Sequence, residues 1–137
     1  MTDILARLTL PADLDAAQAQ VEAALQAQGF GVLTFVDVQR TLADKLGVDF
    51  RDYRILGACN PALAHRALQA EARVGLLLPC NIVLERTAQG TQVTIPTPQS
   101  LLERLLDNPT VRAVADEAHL RLTRVAQALA QPAEVAA

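Results

Sequence analysis

Short apolar runs alternate with helix-starting signals along the whole 137-residue chain. The signals stand at Asp13, Asp37, Asn60-Pro61, Thr97-Pro98 and Asn108-Pro109. Each is a side chain able to accept a first-turn amide, and three are followed by proline, whose missing N–H costs nothing at the first helical position. Between them the longest apolar run is about Val74 to Cys80, far short of the roughly 20 residues that span a bilayer as a helix. The sequence therefore calls for short strands and modest helices sharing one core.

Read in order, residues 4–10 form a strand closed by Pro11, and Asp13 caps a helix with Leu14, Ala17, Val21, Ala24 and Leu25 on one face, stopped by Gly29. Residues 30–36 are a second strand. Asp37 caps a short helix with Val38, Leu42 and Leu46 on one side, and Gly47 closes it. Residues 52–59 make a third strand, and Asn60-Pro61 opens a helix burying Leu63, Ala64, Ala67 and Leu68. Residues 75–86 read as a strand in which Pro79, unable to donate to a central ladder, marks an edge or a bulge. A turn at 87–90 leads to a return strand at 91–95. Thr97 caps a helix carrying Leu101, Leu102, Leu105 and Leu106, and the last helix carries Val111, Val114, Ala118, Leu122, Val125 and Leu129. The expected fold is α+β: a mostly antiparallel sheet of about five strands with helices on one face. One domain is expected over 1–137, with its core at about 4–130 and a frayed end at 131–137.

Charge and cysteine content narrow the function. Fifteen acidic against twelve basic residues give a net charge of −3, and Lys45 is the only lysine. Without a basic stripe there is no electrostatic footprint for nucleic acid. Two cysteines are too few for a secreted disulfide framework, and the N-terminus lacks the apolar core of a signal peptide. These features point to a cytoplasmic protein with reduced thiols and no membrane partner. Signatures of nucleotide, zinc-protease, hydrolase and CxxC chemistry are missing, so the sequence leans away from an enzyme and names no cofactor.

Unusual residues concentrate between Tyr53 and Asn81, in the near-mirrored tripeptides Cys59-Asn60-Pro61 and Pro79-Cys80-Asn81. If the two strands are antiparallel, the Cys-Asn pairs can meet. Cys59 precedes a helix N-terminus, where positive partial charge favours a thiolate. Asn60 and Asn81 offer amides to a ligand, and Arg54 offers a bidentate clamp for a carboxylate. Cys59, Cys80 and His65 form a weak candidate set for a soft metal, since their spacing matches no zinc site. The bland alternatives are a buried thiol packing as a small hydrophobe and an asparagine acting only as a cap. Three functions follow, in order: a small-ligand-binding module using Arg54, Cys59, Asn60, Cys80 and Asn81; a homodimeric interaction protein with an apolar patch at the proline-marked strand; and a thiol redox or soft-metal protein.

Four motifs, GFGVL at 29–33, LGVDF at 46–50, YRILGACNP at 53–61 and LLLPCN at 76–81, closely resemble the "domain of unknown function 302" family of small bacterial and archaeal proteins. The resemblance extends over roughly residues 13–106. It implies an α+β sandwich related to the TATA-binding-protein-like arrangement, a tendency to dimerise, and no established activity. Likeness of fold to a DNA binder does not transfer DNA binding. His65 stands where the family often has tyrosine, which weakens it as a ligand, and Thr97-Pro98 stands where Asp-Pro is common.

Overall fold

In a computed structural model of the chain, which describes residues 3–130, five strands form one antiparallel sheet in the order β1-β5-β4-β3-β2. The strands are β1 (Ile4–Leu10), β2 (Gly31–Asp37), β3 (Tyr53–Cys59), β4 (Cys80–Thr87) and β5 (Gly90–Pro96). The helices are α1 (Leu14–Ala27), α2 (Val38–Leu46), α3 (Pro61–Ala70), the single turn α4 (Pro98–Leu101) and the long α5 (Pro109–Ala130). The chain thus follows the expected β-α-β-α-β-α-β-β-α-α order. The expected frayed segment, 131–137, lies outside the described residues.

Capping chemistry sets most helix ends. The side chains of Asp13, Asp37 and Asn60 accept from the amides of Ala16, Arg40 and Leu63. Asn108 accepts from Thr110 and Val111 at the start of α5. Thr97 departs from this pattern: it occupies the cap position of α4 without a side-chain cap bond. The chain after α4 tightens into a 3₁₀ turn at Glu103–Leu105, so the leucines from 101 to 106 do not share one continuous helix.

The pleat sorts residues by face. Leu56, Ala58, Ile82, Leu84, Val93 and Ile95 are buried under α1 and α5, which contribute Ala17, Val21, Leu25, Leu122, Val125 and Leu129. A second apolar cluster lies beyond the sheet, where Leu63 and Ala67 of α3 meet Val74, Leu102, Leu105, Leu106 and the first turns of α5. The opposite face of the sheet carries half-buried Ile55, Val83 and Thr94, which are cross-strand neighbours.

The region around Pro79 differs from the sequence expectation. Residues 72–76 form a 3₁₀ turn rather than the beginning of a strand, and β4 starts at Cys80, just after Pro79. The Leu78–Pro79 peptide bond is cis. β4 is the central strand, paired on both sides, so the proline marks neither an edge nor a bulge but the entry to the strand. The edges are β1, paired only with β5, and β2, paired only with β3; beside β2, α2 has no buried residue although Val38, Leu42 and Leu46 share a side.

Candidate functional site

The corner where β3 runs into α3 meets the start of β4. Ala58 pairs directly with Cys80, so Cys80 sits one step out of register with Cys59. Alternation along the strand then turns Cys59 to the side opposite Ala58 and Cys80. The two cysteines are free and make no disulfide. Cys80 is buried in the main core, and burial pushes its thiol up to about 12. Cys59 is half-buried, and burial raises its thiol too. Burial thus moves Cys59 in the opposite direction from the low-pKa thiolate that its place before a helix start suggests.

Folded Cys80 holds its proton until about 12 against an ordinary 9.0, whereas the unfolded chain releases it near the ordinary value. The buried neutral thiol therefore contributes fully below about pH 9 and its contribution is lost as pH rises toward 12. Going from pH 8 to pH 10, the wild type is expected to lose roughly 1 kcal/mol of stability more than Cys80→Ala, at about 1.4 kcal/mol per unit. Denaturant titrations at the two pH values measure this difference.

Asn60 is buried at 8% exposure and its amide is already committed. Its Oδ1 accepts from the Leu63 amide at 3.2 Å, and its Nδ2 points to the Gln28 carbonyl at 3.5 Å. That same carbonyl accepts from Arg121 at 3.0 Å, and Arg121 pairs with Glu117, which also meets Arg66. Gly29, at φ +84°, ends α1 beside this junction, and a Cβ there would lie 3.0 Å from Asn60 Nδ2. The GFG and ACNP motifs therefore meet in space and tie the end of α1 to α3 and α5.

The remaining candidates are not brought to this corner. Arg54 faces α1, donating to Asp15 at 2.7 Å and Gln18 at 2.8 Å. It lies five residues up β3 from Cys59, roughly 16 Å at strand spacing. Asn81 is exposed and pairs with Gly57, on the sheet face away from the helices. His65 is exposed on α3. Among the described residues no three His, Cys, Asp or Glu side chains gather to hold a metal ion, so Cys59, Cys80 and His65 do not make the metal set.

What the corner does contain is a cavity of about 60 Å³, lined by parts of both apolar clusters. Phe30, Cys80 and Leu122 come from the sheet side, and Leu63, Val74 and Val114 from the second cluster. Cys59 and Asn60 contribute to its wall; Arg54 and Asn81 do not. Sequence reasoning found the cysteine and asparagine but missed the apolar lining. The available signal was the alanines at 58, 64, 67 and 118, all on the wall, but in a chain with 25 alanines they do not stand out.

A five-stranded antiparallel sheet, helices packed against one face and a small apolar cavity at a strand–helix corner define a compact α+β domain. The chain belongs to the family described as "Domain of unknown function DUF302", whose match covers residues 6–129. It is similar in structure to the uncharacterized conserved protein DUF302 from Bacillus stearothermophilus, with a TM-score of 0.80 and 28% identity over 90% of this chain and 96% of that one. No curated protein matches it. Among the described residues no helix is long and apolar enough to cross a membrane.

Proposed function

We propose that the chain is a small-ligand-binding domain whose site is the cavity at the Cys59-Asn60 corner. The observation that carries this reading is the void itself, at the seam of two apolar clusters. A valine or leucine in place of one wall alanine would remove it. Melting curves of the wild type with fractionated small-molecule extracts test the idea. A rise with one fraction that Ala67→Leu does not share supports it; no rise with any fraction counts against it.

A second reading, self-association, rests on a different surface. The unpaired edge of β2 and the adjoining α2 segment expose Leu33 (68%), Phe35 (49%), Val36, Leu46 (68%) and Val48. β2 carries no lysine and no proline, the residues that blunt free edges. A second copy paired along β2 would cover these side chains and satisfy the edge backbone. On this reading the contact would lie on β2 and α2 rather than at the proline-marked strand, where the sequence points. Light scattering should give twice 14.7 kDa for the wild type and the single mass for Leu33→Glu/Phe35→Glu. A wild-type monomer at high concentration removes the reading.

A further inference from the structure

Resting on the ligand-binding reading, we infer that the cavity takes the apolar end of its ligand, a hydrocarbon group of about two or three carbons, and leaves any charged part outside. Size gives the first limit. A cavity of roughly 150 Å³ takes the six carbons of benzene, about 25 Å³ for each, and this one holds about 60 Å³. Wall chemistry gives the second. No charged side chain lines the space. Asn60 is the only amide on the wall, and both ends of that amide are engaged, by the Leu63 N–H and the Gln28 carbonyl. A charged group inside would lose its hydration and find no counter-ion. The arginine that could have met a carboxylate, Arg54, is held by α1.

The third limit is access. Several wall residues are only partly buried: Cys59 and Ala64 at the α3 end, Leu77 and Leu78 before Pro79, and Ala118 on α5. They mark the mouth, beside which the rest of a larger ligand would lie in water. The site is thus an end-group reader, selecting a compact aliphatic terminus by volume, with Ala67 setting the depth from α3 and Ala118 narrowing the mouth from α5.

Carbon-13 methyl spectra of the full chain test this with four probes: apolar xenon and cyclopropane, and formate and ammonium, whose charge has no alkyl end to leave it outside. Xenon and cyclopropane should give saturable shifts at the methyls of Leu63, Val74, Val114 and Leu122, leaving those of Val21 unmoved. The two charged probes should bind at least about tenfold more weakly at the same methyls, the expected consequence of a buried unpaired charge. Equal shifts with formate or ammonium would overturn the hydrocarbon assignment and leave the binding site standing. No shift with any of the four would overturn the site as well. Ala67→Leu should abolish the xenon response in a folded protein; if that variant fails to fold, Ala118→Val is the substitute. A folded variant that responds as the wild type does overturns the assignment to this cavity.

Discussion

Gly57→Ala is expected to destabilise the protein by about 3 kcal/mol, the upper end of what overpacking costs. Gly57 lies in β3 on the face away from the helices, paired with Thr34 of β2 and Asn81 of β4. The space a side chain would need is taken. A Cβ would collide with Thr34 Oγ1 and approach Pro79 Cγ to 2.7 Å. Thr34 is exposed and can rotate away. The proline ring cannot, because it is closed on the backbone and its residue leads straight into buried Cys80. Moving the ring shifts the start of the central strand. In a double-mutant cycle with Pro79→Ala the coupling should exceed 1 kcal/mol, since removing the ring removes the collision. A loss under about 0.5 kcal/mol for Gly57→Ala, within the range of ordinary surface substitutions, would show that the close approach does not constrain this position.

The same contact explains how much of the molecule was legible in the sequence. Caps, glycine stops and apolar spacing are local, and they placed all ten principal elements in their correct order. Asp13, Asp37, Asn60 and Asn108 cap as their side chains suggested. Register and strand neighbours are not local. Whether Cys59 and Cys80 face each other depends on one residue of offset between β3 and β4, and a single step turns every side chain over. The structure pairs Cys80 with Ala58, so two near-mirrored tripeptides do not make a mirrored site. In the sequence Pro79 looks like a break within a strand, because the leucines before it are as apolar as the strand after it. Those leucines instead close the second cluster: Leu77 and Leu78 pack against it around Val74.

The candidate site was legible in the same uneven way. Cys59 and Asn60 mark the corner in the sequence, but nothing in the sequence shows that Arg54 and Asn81 lie away from it. Arg54, Asn60 and Asn81 suggested a polar ligand because polar residues near apolar strands draw attention. Each has its own task in the fold: an ion pair with Asp15, a helix cap, and an exposed place on the far face. With them accounted for, the remaining feature is a void. A void has no residue type of its own, only small side chains around it, so it emerges only when distant segments are packed together.

Asn60 provides the sharpest separation between a structural and a ligand-binding role. Asn60→Ala is expected to cost about 2 kcal/mol, because the lost helix cap is the bond to the buried Leu63 amide, which is left without an acceptor. The Gln28 carbonyl keeps its bond from Arg121, so the loss is confined to the start of α3. Asn60→Ser should recover about half of that stability, because a serine hydroxyl can still accept at a cap position. It cannot reach the Gln28 carbonyl as the longer amide does. If Asn60 serves only the fold, denaturant titrations will rank the three proteins in this order while cyclopropane binds the serine variant as it binds the wild type. A serine variant of nearly wild-type stability that no longer responds to cyclopropane would move Asn60 from the frame of the cavity to direct contact with what enters it. A cost below about 0.5 kcal/mol for Asn60→Ala would contradict the capping account, because a buried orphan amide alone exceeds that figure.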